Sequence, residues 1–260
     1  MTRFSFGLAL AGLLAASSSA FADNFYFPSN GGGNVTWNGV YVNPYSANDT
    51  TTGQNALTIF CDDWNTDFTP PVGWTGTVYA LTAGNVPSLK YGNVTSSDVF
   101  DVTDSNHTLS YSNPAIVNAY QRYLEAAWLD NLYQTLLAAN GSVDPNTQIE
   151  IDAAQWTLFV DPSHVAGLIG DINSSGYADA VNSYLTEAQA ALSPNVPGGP
   201  WTAPGWDVIV PNSGVAMQEF LVPGFSGRTP PSPVPEPTGV LLVATVAGLI
   251  GFVKLRSKRA

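Results

Sequence analysis

The C-terminal stretch limits what the remainder of the chain can fold into, because its composition suits lipid better than a protein core. Residues 239–253 carry no charge and are mostly apolar, and a basic cluster follows directly. Such a segment partitions into a bilayer while the cations stay on the cytoplasmic side. At about 15 residues it is shorter than the roughly 20 that a full span prefers. We therefore predict a transmembrane helix and basic tail over residues 238–260, with a stop formed by Lys254, Arg256, Lys258 and Arg259.

The N-terminus has the pattern of a secretory signal peptide. Arg3 precedes an apolar core over residues 6–16, and Ala20-Phe21-Ala22 has the small residues of a cleavage site. We predict a signal peptide over residues 1–22, with cleavage before Asp23. A short membrane anchor is the alternative for this segment.

The tail also carries the tripeptide Pro235-Glu236-Pro237 directly before its apolar run. Tripeptide, apolar helix and Arg/Lys-rich end, in this order, resemble the PEP-CTERM sorting signal of Gram-negative bacteria. The resemblance implies an exosortase-type processing enzyme as a partner. It also implies an inner-membrane intermediate and a final place at the cell surface or outside the cell, alongside exopolysaccharide. An ordinary C-terminal membrane anchor on a Pro-rich stalk is the alternative.

These ends divide the chain into a signal peptide (1–22), a secreted domain (23–224), a Pro-rich linker with the Pro-Glu-Pro motif (225–237) and the membrane segment. Between the ends the chain is strongly acidic, with Lys90, Arg122 and Arg228 as its basic residues against 19 acidic ones. A surface this acidic repels nucleic acid, which excludes a nucleic-acid partner.

The secreted domain is predicted to be α+β, with an antiparallel sheet or sandwich and an inserted helical segment near residues 113–192. Period-two patterns and turn residues predict strands; Asn113-Pro114 and Asp144-Pro145 are typical helix starts. The predicted strands are 40–45, 56–61, 76–81, 206–210 and 216–222, and the predicted helices are 113–140, 144–159 and 178–192. The period of two places Leu57, Ile59 and Cys61 on one face of their strand.

Cys61 is the single cysteine, so an intramolecular disulfide cannot form. Gln155 lies on an apolar helix stripe, where a buried amide needs partners. A thiol can displace ammonia from a glutamine side chain and give an internal thioester. If helix and strand pack together, Cys61 and Gln155 could meet. A buried free cysteine beside a hydrogen-bonded glutamine is the alternative.

Four segments carry a further resemblance: 39–45, Phe60-Cys61-Asp62-Asp63, 123–129 and 154–159. Together they are similar to a set of PEP-CTERM surface proteins and, distantly, to the thioester domains of Gram-positive adhesins. That resemblance implies Cys61 and Gln155 as the bond partners.

The segment 171–182 partly fits a calcium loop. The candidate ligands are Asp171, Asn173, Ser175 and Asp179, but the twelfth position is Asn182 rather than glutamate. The alternative is a polar turn between helices, and we expect neither a metal nor a cofactor. The two histidines, His107 and His164, lie in no motif that would pair one of them with Cys61, so we expect no enzyme.

The sequence thus predicts an exported surface or matrix protein with a structural or adhesive role. A thioester adhesin that bonds to a partner amine is one alternative, and a polysaccharide-binding module is another. The expected partners are the processing enzyme, the membrane, and exopolysaccharide or a surface protein.

Overall fold

The computed structural model describes residues 21–28, 35–64, 70–92, 99–102, 109–112, 119–160, 164–196, 199–212 and 217–225. The first 20 residues of the predicted signal peptide, the linker after its first residue and the sorting tail lie outside them, so their assignments stay predictions. Within the described ranges, no helix combines the length and the apolar character that a membrane crossing requires.

The predicted α+β class is confirmed. In the described part of the chain, four α-helices are inserted in the sequence between strands β8 (Leu109–Ser112) and β9 (Trp206–Pro211). The strands are β1 Phe21–Phe27, β2 Thr36–Trp37, β3 Val40–Tyr41, β4 Tyr45–Asp49, β5 Gln54–Cys61, β6 Val72–Ala80, β7 Val99–Val102, β8 Leu109–Ser112, β9 Trp206–Pro211 and β10 Phe220–Pro223. The helices are α1 Ala119–Asn140, α2 Pro145–Thr157, α3 Val165–Ser174 and α4 Ala178–Ala191.

Six strands form a closed antiparallel barrel in the order β1-β4-β5-β10-β9-β6, rather than the expected open sheet or sandwich. The difference comes from β1, for which the sequence analysis assigned no strand. This strand pairs with β6 from Phe21↔Val78 onward and with β4 at Phe25↔Asp49, which joins the two ends of the sheet. It begins two residues before the predicted signal cleavage point, so the strand spans that point.

Aromatic and aliphatic side chains fill the barrel and form the first of two cores. Strand β5 shows the predicted alternation: Leu57, Ile59 and Cys61 point into this barrel core, while Phe60 belongs to the second core. Inside the barrel Phe27 stacks on Trp74, with ring centroids 4.7 Å apart. Burial of these rings stabilises the barrel.

The helices cover one side of the barrel and share with it a second core, here called the interlayer core. It joins Phe60, Val208 and Leu221 of the strands to helix residues such as Trp156. The predicted start of α2 is confirmed, because the Asp144 side chain accepts hydrogen bonds from Asn146 N (3.0 Å) and Thr147 N (3.2 Å).

The other helix bounds differ in detail from the predictions. Helix α2 ends at Thr157, two residues before the predicted end, and α4 agrees with its predicted range. Helix α1 is described from Ala119, and its predicted start at residues 113–118 lies outside the described residues. Helix α3 was not predicted, and its last four residues, 171–174, were interpreted as part of a polar turn or calcium loop.

Candidate functional site

The thiol of Cys61 lies against the side-chain amide of Gln218, at the point where β5 leaves the barrel. The distance from Cys61 Sγ to Gln218 Oε1 is 2.9 Å. Because a C=O bond is about 1.23 Å long, the amide carbon lies at most about 4.1 Å from the sulfur. Both residues are buried. A thiol and a carboxamide are thus in contact in a site that excludes bulk water.

Strand pairing explains this contact. Strands β5 and β10 are antiparallel with Phe220 opposite Cys61. Continued past the strand ends, this register sets Glu219 opposite Asp62 and Gln218 opposite Asp63. The main chain of Asp63 holds both partners: its N–H donates to Cys61 Sγ (3.3 Å), and its carbonyl accepts from Gln218 Nε2 (3.0 Å).

Gln155, the partner inferred from the sequence, is buried nearby but makes other contacts. Its Oε1 accepts from Asn43 Nδ2 (3.1 Å), and its Nε2 donates to Asp130 Oδ2 (3.2 Å). Helix α2 therefore packs beside the end of β5, which is the arrangement that a bond between Cys61 and Gln155 would need. The amide that reaches the thiol, however, comes from Gln218, two residues before β10, and not from α2.

Asn43 links α2 to the backbone of Cys61. The β4–β5 ladder ends at the pair Tyr45↔Ile59, so no strand residue pairs with Cys61 on that side. Instead, Asn43 Oδ1 accepts from Cys61 N (2.6 Å) and Asn43 Nδ2 donates to Cys61 O (3.0 Å). The Asn43 side chain thereby replaces the missing ladder and fixes the position of Cys61.

Helix α2 in turn holds Asn43. Asp152 accepts hydrogen bonds from both the backbone N (3.0 Å) and Nδ2 of Asn43, and Gln148 Nε2 donates to the Asn43 carbonyl. Burial raises the pKa of Asp152 well above its ordinary value. Burial, and then the charge of Asp152, also raises the pKa of Asp130. These polar groups form a buried network that connects the helices to Cys61.

A second group of buried acids lies beside Cys61 and Gln218: Asp62, Asp63 and Glu219, each fully buried. Burial, and then the charge of Glu219, raises the pKa of Asp62 well above its ordinary value. Burial raises the pKa of Glu219 to about 7. The Asp62–Glu219 pair therefore holds a proton near neutral pH, because two facing carboxylates cannot both ionise cheaply.

Donors from the segment 90–91 and from helix α1 surround these acids. Lys90 Nζ forms an ion pair with the Asp63 carboxylate, and Lys90 N donates to Glu219 Oε2 (2.7 Å). Tyr91 Oη donates to Asp63 Oδ1 (2.6 Å), and Tyr123 Oη donates to Glu219 Oε1.

The electrostatics of the site keep the free thiol protonated. Burial raises the pKa of Cys61 well above its ordinary value, and the charges of Asp63 and Asp62 raise it further. Reaction of the thiol therefore requires a proton acceptor, and the acids next to it are the nearest candidates. The hydrogen bonds of the thiol go to Gln218 and Asp63, and His164 is not among its partners.

The calcium candidates do not form a loop. Asp171 and Asn173 lie within helix α3, Ser175 is its C-terminal cap, and Asp179 lies in the first turn of α4. In a helix, residues two apart point to different faces, so Asp171 and Asn173 cannot converge on one ion. Ser175 Oγ instead accepts a hydrogen bond from Trp37 Nε1 (3.1 Å). Within the described residues, no group of three acidic, histidine or cysteine side chains could hold a metal.

Exposed aromatic residues are rare in the part of the chain that the structure describes. Tyr26 and Tyr41 are the exposed ones, whereas Trp37, Trp74 and Trp156 are buried. Trp64, Trp128 and Trp201 are partly exposed.

Sequence reasoning did not identify Gln218 or Glu219, and it assigned no role to Asn43, Asp62 or Asp63, although these three lie in the segments that carry the resemblance. Gln218 and Glu219 had a detectable signal, because this polar pair interrupts the apolar run from Ala216 to Val222, as Gln155 interrupts an apolar helix stripe. The pairing of β10 with β5, which selects Gln218, has no local signal.

Comparison with known proteins gives little beyond this geometry. No protein-family model matches the chain, and no curated protein matches it. A solved structure, the N-terminal domain of the Streptococcus pyogenes pilus tip adhesin Cpa, is similar with a TM-score of 0.39 and 12% sequence identity. The similarity covers 80% of this chain and 95% of that one. At this level it assigns no residue and no activity to this chain.

Proposed function

We propose that this protein is an exported surface or matrix protein whose folded domain forms an internal thioester between Cys61 and Gln218. The observation that carries the proposal is the buried contact between Cys61 Sγ and Gln218 Oε1. The thioester would let the protein bond covalently to an amine on a partner, which is an adhesive role.

The bond would form by attack of the Cys61 sulfur on the amide carbon of Gln218. The C–S bond forms, the C–N bond breaks, and the thiol proton leaves with the amide nitrogen as ammonia. Two features of the site support this step. The Asp63 main chain aligns thiol and amide, and preorganised reactants react faster. The burial of both residues shields the product from hydrolysis.

Export places the site where a partner amine would be found. The signal peptide and the sorting tail support a surface location, and the exosortase-type enzyme remains the proposed processing partner. The strongly acidic composition between the two ends supports a partner that is not nucleic acid.

Intact mass of the exported protein tests the thioester. The wild-type protein should be lighter by one ammonia than its sequence requires, and Cys61→Ala should abolish the deficit. Methylamine should remove the deficit by adding one molecule to Gln218, which peptide fragmentation can locate. A full sequence mass, with a thiol that titrates freely after unfolding, would instead establish a free buried cysteine and refute the proposal.

A matched pair of variants identifies the glutamine. Gln218→Glu and Gln155→Glu make the same near-isosteric change and remove the ammonia that could leave. The geometry predicts that Gln218→Glu abolishes the mass deficit and that Gln155→Glu retains it. The opposite result would restore the pair inferred from the sequence.

A further inference from the structure

Lys90 is the single lysine before the C-terminal basic tail, and it lies in the same corner of the fold as the single cysteine. Its side chain is 34% exposed, whereas the Asp63 carboxylate that it contacts is fully buried. The Lys90 side chain thus extends from solvent to Asp63. The main chain of Asp63 contacts both Cys61 and Gln218.

The surroundings of the Lys90 ammonium group suit a cation. Three fully buried acids, Asp62, Asp63 and Glu219, lie around it. Asp63 forms the ion pair, and Glu219 accepts the Lys90 backbone N–H. Asp62 faces Glu219, and burial and that neighbour raise the pKa of Asp62 well above its ordinary value. Neither carboxyl oxygen of Asp62 accepts a hydrogen bond from Lys90, which is bonded to Asp63 and Glu219.

We propose that Lys90 occupies the position that an incoming alkylammonium group, such as a partner's lysine side chain, must take to reach the acyl carbon of Gln218. The proposal rests on the thioester of the preceding subsection. Lys90 acts here as a competitor: its own ammonium holds the acidic corner until another displaces it.

The acylation step then follows from the residues present. The incoming ammonium group gives one proton to a carboxylate of the corner and becomes a free amine. The amine nitrogen attacks the acyl carbon, the C–N bond forms and the C–S bond breaks. The Cys61 sulfur leaves and takes up a proton, so the products are a substituted Gln218 amide and a free thiol.

Lys90→Met and Lys90→Arg separate this role from a structural one. Met removes the charge but keeps an unbranched side chain, and Arg keeps the charge. The full-length protein is treated with methylamine, which is cationic near neutral pH, and separately with hydroxylamine, which is neutral. Intact mass follows each adduct over time, and the starting mass reports whether the thioester is present.

We expect Lys90→Met to accelerate methylamine addition about fivefold, which corresponds to about 1 kcal/mol, the upper range for a partly exposed ion pair. Lys90→Arg should react as the wild type does, and the hydroxylamine rate should stay within about twofold in all three proteins. An unchanged methylamine rate in Lys90→Met overturns the proposal. Equal acceleration with both nucleophiles also overturns it, because Lys90 would then be a steric cover. A missing mass deficit in wild type would instead refute the thioester itself.

Discussion

Replacement of Asn43 by alanine tests whether this side chain holds Cys61 in place. The change would leave the backbone N–H and C=O of Cys61 without the partners they have now, at 2.6 Å and 3.0 Å. Asp152 would lose the Nδ2 donor as well. A buried polar group left unsatisfied costs about 1–3 kcal/mol, so the two Cys61 groups alone amount to about 2–6 kcal/mol. A typical domain has only about 5–15 kcal/mol in total.

Urea unfolding followed by tryptophan fluorescence measures this loss, and we expect at least about 3 kcal/mol. Asn85→Ala is the matched control, because its Nδ2 donates to the Ala80 carbonyl (2.9 Å) at an exposed position. That variant should lose less than about 1 kcal/mol. Equal losses in the two variants, or a loss in Asn43→Ala below about 1 kcal/mol, would refute the role assigned to Asn43.

Two further predictions concern Glu219 and the barrel wall. Burial raises the pKa of Glu219 from 4.5 to about 7. The native state therefore binds this proton more tightly than the unfolded state does. About 3 kcal/mol of folding stability that is present below pH 4.5 is lost as the pH rises through 7. Glu219→Gln should remove that share of the pH dependence in urea unfolding; an unchanged pH slope would contradict it. A Cβ at Gly76 would lie 2.8 Å from Ile209 Cγ2, so Gly76→Ala should cost about 1–3 kcal/mol. At Gly73 the nearest atom is 3.6 Å away, so Gly73→Ala should have the smaller effect, and the reverse order would contradict this packing.

Local patterns predicted much of the fold because they depend on near neighbours. The alternation of Leu57, Ile59 and Cys61 and the Asp144 cap both involve residues a few positions apart. Barrel closure did not follow from such patterns. It depends on β1 pairing with β6 about 50 residues later. The first two residues of β1 had been assigned to the signal peptide, and no strand was predicted for the remaining ones.

The candidate site was predictable only in part, for the same reason. The chemistry of a buried thiol beside a glutamine followed from residue types, and Cys61 lies where the strand pattern placed it. The choice between Gln155 and Gln218 depends on the β5–β10 register, which no local pattern specifies. The role of Asn43 could not be predicted from local patterns. Its side chain replaces the strand partner that the Cys61 backbone lacks beyond the end of the β4–β5 ladder.

The position of β1 has a consequence for the order of events during secretion. Phe21 and Ala22 are paired with Val78 and Thr77 in the barrel of the full-length chain, and the predicted cut falls directly after them. A peptidase needs that backbone extended and unpaired, whereas the barrel needs it bonded to a neighbour. A cut at the predicted point would therefore have to precede the pairing of this end of β1 with β6, and the strand would then begin at Asp23, opposite Gly76.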